Sequence, residues 1–266
     1  MNPNRVVAIT GASAGIGRAT AVRVARDGAR VVICARREAA LRAVAGEIAA
    51  AGGQALPIVA DVTREADMTQ LVAKAVERFG RLDVMLCNAG FGVAGAIDDI
   101  TSDQMRRLMD VNYMGTFYAA RAAMPVFRKQ GRGHVIMVSS IVGKRGVPYM
   151  GAYSATKFAQ VGLAECLRAE VSGSDIHVTV VYPVSTETEF FDVMSKQTGL
   201  EITRAYGPRQ DATIVADAIA RAIDRPVPEV YPYPRSKALA VVNAIAPGFC
   251  DRIVKRFGRK PVGPLA

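Results

Sequence analysis

This chain of 266 residues has few of the groups that hold metals or cross-link a polypeptide: two histidines and four cysteines. His134 and His177 have no second ligand nearby in sequence, so no metal site is expected. Cys34, Cys87, Cys166 and Cys250 are widely scattered, which suits core packing in a reducing compartment better than a disulfide framework. No apolar stretch reaches the ~18 residues needed to cross a bilayer. The first apolar run begins near residue 5 and leaves no room for a signal peptide, so a cytoplasmic location is expected. No linker rich in proline, glycine or serine divides the chain, and residues 1–266 are expected to form one domain. The basic residues lack interleaved aromatics, so no nucleic-acid partner is expected.

What the chain does have is a composition 50% hydrophobic, enough for a sizeable core. Apolar runs near residues 5, 30, 55, 83, 133, 176 and 229 alternate with segments of helical period. Most of these runs are uniformly apolar, as strands covered on both faces must be. The expected fold is α/β: a Rossmann-type, doubly wound, mainly parallel seven-stranded sheet with helices on both faces. The first run, Arg5 to Ile9, leads directly into Thr10-Gly11-Ala12-Ser13-Ala14-Gly15-Ile16-Gly17 and then a helical stretch to Asp27. Strand, glycine turn and helix in this order suit a dinucleotide. Glycines let the backbone approach a pyrophosphate, whose charge meets free N–H groups and the positive end of the helix dipole.

A second constellation lies in the middle of the chain. Tyr153 and Lys157 are four residues apart, with Ser140 thirteen residues upstream. On a helix, positions i and i+4 share a face, so phenol and ammonium can meet. A cation within about 4 to 6 Å favours the phenolate, which would tune Tyr153 to exchange a proton with a substrate oxygen.

Together these motifs resemble the short-chain dehydrogenase/reductase family, in the subgroup with a Thr-Gly-x-x-x-Gly-x-Gly loop and a Tyr-x-x-x-Lys site; the resemblance covers roughly residues 5 to 231. It implies a catalytic set of Asn112, Ser140, Tyr153 and Lys157, with Ser139 facing the other way. In the reaction it implies, hydride passes between nicotinamide and a carbonyl carbon while Tyr153 handles the proton. Ser140 would then hold the oxygen, Lys157 would lower the Tyr153 pKa and hold the ribose, and Asn112 would position a relaying water. For the cofactor it implies Gly11, Ser13, Gly15, Ile16 and Gly17 in the loop, and Asp61 and Val62 at the adenine. Asn88, Ala89 and Gly90 would lie alongside, with Pro183, Thr186 and Thr188 near the nicotinamide and Tyr153 and Lys157 at the ribose. Two positions depart from the family pattern: Val184 follows Pro183 where glycine is usual, and Cys87 stands where asparagine is frequent.

At the end of the second strand, where NAD-selective relatives carry an acid, this chain has Ala35 followed by Arg36 and Arg37. Arginine matches a 2′-phosphate through charge-assisted hydrogen bonds. NADP(H) is therefore the expected cofactor, with Arg36 the main contact and Ser13 a helper.

The net charge of +10 is concentrated at the end of the chain. From Arg235 onward there are seven basic residues against Asp251 alone, making 235–266 a basic C-terminal extension. Its second half reads as a helix after Pro247, with Phe249, Ile253 and Phe257 at i, i+4 and i+8. Such a helix can lie peripherally on anionic lipid, or pack on its own domain or a neighbouring subunit. Residues 185–211 show no clear period and have the length of a substrate-binding lid. Phe91, Val93, Val142, Tyr149, Met150, Val184, Phe190, Phe191 and Met194 are the expected cavity lining, with Glu187, Glu189 and Asp192 at its rim. The expected substrate is a bulky apolar ketone or aldehyde, or the matching alcohol. A 3-ketoacyl thioester is the alternative substrate, and a non-catalytic NADP(H) sensor or scaffold the alternative class. The resemblance also implies a homodimer or homotetramer, to which Phe117, Val161, Leu163 and Leu167 could contribute.

Overall fold

The computed structural model describes residues 4–198, 200–202, 209–255 and 262–264. Strands and helices alternate from the start: β1 (Val6–Thr10), α1 (Gly15–Arg26), β2 (Arg30–Ala35), α2 (Glu38–Ala50), β3 (Gln54–Val59), α3 (Glu65–Phe79) and β4 (Val84–Cys87). Next come α4 (Ser102–Leu108), a π-helical turn (Met109–Met114), α5 (Gly115–Gln130), β5 (Arg132–Val138), a short 3-10 turn (Ile141–Gly143), α6 (Gly151–Glu170) and β6 (Asp175–Val181). The chain continues through β7 (Ser185–Glu187), α7 (Phe190–Thr198), β8 (Leu200–Ile202), β9 (Arg209–Asp211), α8 (Ala212–Asp224) and β10 (Glu229–Val230). It ends with α9 (Arg235–Ile245), α10 (Pro247–Lys255) and β11 (Val262–Pro264).

The seven expected strands form one sheet in the order β10-β6-β5-β4-β1-β2-β3. Every pairing in it is parallel. Because side chains alternate along a strand, Val6 and Ala8 of β1 enter one core while Val7 and Ile9 enter the other. The first core is closed by α3, α5 and α6, through residues such as Leu71, Phe127 and Leu167; the second by α1, α2 and α8, through Val24, Leu41 and Ile219. Each fully buried aliphatic or aromatic side chain contributes ~1.5–3 kcal/mol, so a sheet covered on both faces organises the chain. Val161 and Leu167 point into the first core, and Leu163 packs against it, so these three serve the sheet.

Two local features bear on the site. Thr101 and Gln104 form a reciprocal capping box that starts α4. The helix then widens into the π turn before resuming as α5, and that turn carries Asn112. A π turn inserts an extra residue into a helical path and changes where one side chain points.

The segment from 185 to 211 corrects the expectation of an aperiodic stretch. β7 and β9 pair in parallel, β8 pairs antiparallel with β11, and α7 lies between. Phe190, Phe191 and Met194, at i, i+1 and i+4, turn one face of α7 towards the apolar cluster around Val93, Val142 and Tyr153. A nine-residue helix spans too few turns for its period to stand out in sequence. Residues 199 and 203–208 of the expected lid, and Phe257 of the tail, lie outside the described residues.

Candidate active site

A cleft of about 440 Å³ runs along the carboxyl ends of the central strands. Its floor is the loop between β1 and α1. Gly11 has φ +66°, and a side chain on it would come within 2.8 Å of the Ala89 backbone. A Cβ on Gly17 would lie 2.3 Å from the Gly11 carbonyl oxygen and 2.5 Å from Asn88 Nδ2. Asn88 fastens this loop: its Nδ2 donates to the carbonyls of Thr10 (2.9 Å) and Gly11 (3.2 Å), while Thr10 Oγ1 accepts from the Asn88 and Ala89 amides. Helix α1 has no side-chain cap and no acid in its first turn, so its N-terminal N–H groups stay available to an anion. The glycine cradle and open helix end fit a dinucleotide.

The adenine-side residues also meet at this cleft. Ser13, Arg36, Arg37, Asp61 and Val62 all line it. Arg37 Nη2 donates to Ser13 Oγ (3.3 Å) and pairs with Glu189 at 2.9 Å, whereas Arg36 lies 3.9 Å from Asp61. Ser13 is thus bonded to Arg37, with Arg36 lining the same cleft. Gly15, Ile16, Asn88, Ala89, Gly90, Pro183, Thr186 and Thr188 line the same space, and Val184 occupies the position usually held by glycine.

The four expected catalytic residues converge beyond the glycine loop. Tyr153, buried on α6, lies beside Ser140, whose hydroxyl favours its phenolate and also donates to the Pro183 carbonyl at 3.5 Å. Ser139 instead donates to the Lys157 carbonyl at 3.0 Å, so Ser140 is the serine at the phenol. Lys157 Nζ sits 5.6 Å from the Tyr153 ring centroid and donates to the Val138 carbonyl (2.9 Å) and to Gln160 Oε1 (3.1 Å). The Asn112 side chain braces the backbone of Phe91 in both directions, accepting from its N–H at 3.0 Å and donating to its carbonyl at 2.9 Å. Asn112 Nδ2 also donates to Thr156 Oγ1.

Burial sets the protonation states here. It raises the Tyr153 pKa above the ordinary value, against a smaller lowering by the Ser140 hydrogen bond, and it pushes the Lys157 amine down to about 7. In the free protein burial outweighs the lowering expected from the lysine, so the phenol stays protonated. Both groups are withdrawn from water, which penalises phenolate and ammonium alike.

The apolar end of the cleft contains Phe91, Val142, Met150, Val184, Phe190 and Phe191, as expected. Val93, Tyr149 and Met194 do not line it; Val93 and Met194 are buried in the cluster behind. Phe190 lies 5.4 Å from the Tyr153 ring, between centroids. Glu189 lies at the cleft, exposed and paired with Arg37 at 2.9 Å. The sequence reading missed Gln160, Thr116 and Thr156. Their only signal was helical spacing, three residues from Lys157 for Gln160 and four from Asn112 for Thr116. No group of three or more potential metal ligands occurs among the described residues.

A family model for short chain dehydrogenase matches residues 5–199, nearly three-quarters of the chain. The chain belongs to the short-chain dehydrogenase/reductase family. This oxidoreductase is 36% identical to an uncharacterized oxidoreductase of Listeria innocua over 84% of its own length and 92% of the relative's. A short chain dehydrogenase/reductase from Burkholderia phymatum, solved in complex with NAD, superposes with a TM-score of 0.81 at 25% identity, covering 98% of both chains. An alcohol dehydrogenase from the archaeon Thermococcus sibiricus, complexed with 5-hydroxy-NADP, gives a TM-score of 0.76 at 26% identity, covering 85% of this chain and 95% of that one. Nicotinamide cofactors of both kinds thus occur among similar structures of this short-chain dehydrogenase/reductase.

Proposed function

We propose that this short-chain dehydrogenase/reductase interconverts a carbonyl compound, a bulky apolar ketone or aldehyde, and its alcohol, with NADP(H) as cofactor. The observation that carries the reading is the joint presence of Ser140, Tyr153 and Lys157 in the lining of one cleft, between a glycine cradle and an apolar pocket. The nicotinamide, when bound, supplies or accepts the hydride at the substrate carbon. Burial keeps the Tyr153 phenol protonated at neutral pH, so it can donate to a carbonyl oxygen as negative charge develops there. Ser140 offers a second hydrogen bond to that oxygen, in a water-poor site where such a bond is worth most. Lys157 holds positive charge next to the phenol once it ionises. Gly11, Gly15 and Gly17 with the start of α1 would hold the pyrophosphate, Asp61 and Val62 the adenine, and Thr186 and Thr188 the nicotinamide side.

Support for NADP(H) over NAD(H) comes from charge. Ala35 leaves no carboxylate to repel a 2′-phosphate, and Arg36 and Arg37 flank the cleft. Among the described residues Arg36 has one ion pair, at 3.9 Å, and it remains the main candidate, with Arg37 and Ser13 adjacent.

The test is NADPH oxidation by purified protein across aldehydes, steroid-like ketones, quinones and 3-ketoacyl thioesters, with Tyr153→Phe measured in parallel. Turnover lost in the variant, with cofactor binding retained, is the expected result. Turnover that survives the substitution would remove Tyr153 from the chemistry, and binding without turnover on any class would favour a sensor or scaffold.

A further inference from the structure

The polar network behind Lys157 contains a residue with no role in the reading above. Gln160 is fully buried on α6, one turn beyond the lysine. Its Oε1 accepts from Lys157 Nζ at 3.1 Å, and its Nε2 donates to the Asn112 main-chain carbonyl and to Thr116 Oγ1, both at 2.7 Å. We propose that Gln160 is a positioning residue, whose carboxamide ties the Lys157 amine to the π turn carrying Asn112 and holds that amine in its cationic form. It takes the place that the family resemblance assigns to a relaying water.

Three physical points support this. The carboxamide can face only one way, because the reverse orientation would set an NH2 against the ammonium and an oxygen against the Asn112 carbonyl. That carbonyl also accepts from Thr116 Oγ1 at 2.8 Å, so its two lone pairs are both engaged by side chains. The ammonium has three donors: Val138 and Gln160 take two, and the third remains for groups in the cleft that Lys157 lines. A buried position on a helix facing the sheet is ordinarily apolar. A glutamine here is tolerated because each of its contacts is satisfied, and removing it would leave the ammonium and the Asn112 carbonyl each short of a partner in a dry site.

The consequence is electrostatic. The groups around Lys157 Nζ are Tyr153 on its own helix, Gly90 beneath Asn112, the Val138 carbonyl at the end of β5, and Gln160. Tyr153 is the one titratable group among them, and burial alone shifts the lysine. The Gln160 carbonyl therefore opposes the loss of lysine charge that burial favours, and through the lysine it stabilises the Tyr153 phenolate.

The proposal relies on the oxidoreductase reading only for its effect on turnover, so the primary measurement needs no substrate or cofactor. Lys157 is titrated in the free protein by NMR of its labelled side chain, assigned by comparison with Lys157→Met. Gln160→Met, similar in size but without the polar groups, should lower the lysine midpoint by about 1 pH unit, the scale of one hydrogen bond to a buried charge. Gln160→Glu keeps the shape and should raise it. In alcohol oxidation, where the phenolate is the base, Gln160→Met should move the ascending limb of kcat/KM to higher pH. If both variants fold and leave the lysine midpoint unchanged, the proposal is overturned. If Gln160→Met does not fold, the sign of the Gln160→Glu shift decides. Failure of both to fold makes Gln160 a core residue and overturns it as well. A wild-type protein without turnover would count against the proposed function alone, since the titration still reads the lysine.

Discussion

The network around Lys157 and the pair α9–α10 invert the usual placement of side chains. In the first, Asn112, Thr116, Thr156, Lys157 and Gln160 are all buried and mutually hydrogen-bonded. In the second, Leu239, Val241, Val242, Ile245, Phe249 and Ile253 are exposed, and Ile245 is 79% exposed. Among the described residues, six of the eleven exposed large hydrophobics lie on these two helices, with Arg235, Lys237, Arg252 and Lys255 among them. A buried polar group is stable only when its partners are fixed, whereas scattered exposed apolar side chains cost little. The interior network therefore makes a rigid site. The exposed helices offer a surface, held to the body by the bonds of Arg145 to Asn243 and Asp251 and of Asn243 to the Lys144 carbonyl.

Four experiments sharpen this contrast. The largest effect is expected at Tyr153: replacement by Phe should lower kcat by about 10²–10⁴-fold, the scale of a lost general acid, with thermal stability nearly unchanged. A stability loss comparable to a core deletion, with activity retained, would make the tyrosine structural.

The second uses His134, buried on β5 with Nε2 against Thr179 Oγ1 and Nδ1 among the buried atoms without a partner. Burial, followed by the nearby His177 and Arg5, lowers its pKa to about 3 from the ordinary 6.5. The unfolded chain binds this proton first, so stability should fall as pH drops from about 6.5 towards 3, by several kcal/mol in the limit. Urea unfolding at intervals across that range should show the slope, and His134→Leu should flatten it. An equal slope in the variant would assign the acid sensitivity to other groups.

Third, Arg36→Ala should weaken NADPH binding by roughly 10- to 100-fold and NADH binding little, as expected for one charge-assisted contact to phosphate. Equal losses for both cofactors in a fluorescence titration would sink the 2′-phosphate assignment.

The smallest effect on stability belongs to the outer helices. Ile245→Ser with Phe249→Ser should change the unfolding free energy by less than about 1 kcal/mol, in contrast to the ~2–5 kcal/mol of a deleted core side chain. The same variant should lose sedimentation with anionic phospholipid vesicles, the partner suited to a basic, apolar helix face. A mass that rises with protein concentration in the wild type and not in the variant would identify a second copy on this face instead.

Much of the framework was legible because it is local. The seven apolar runs became the seven strands, as uniform hydrophobicity is forced on any strand covered on both faces. Gly11 and Gly17 announced the loop because no side chain fits there. Tyr153 and Lys157 stood out by their spacing on one helical face, and the family resemblance added Ser140 just beyond the end of β5. Helix α7 was missed because its short apolar face gains meaning only against Val93 and Val142, far away in sequence.

Sequence alone determined the parallel sheet, the glycine cradle, and the alignment of phenol and lysine on one helical face. Each of these follows from backbone sterics or from a fixed period along the chain. Only the tertiary structure decided the partners. The π turn brings the Asn112 carbonyl to Gln160, forty-eight residues away; Arg37 reaches Glu189 across the cleft; and burial is the largest influence on the Tyr153 proton. Hydrogen-bond partners and local dielectric are properties of what the fold packs around a group, and no spacing along the chain encodes them.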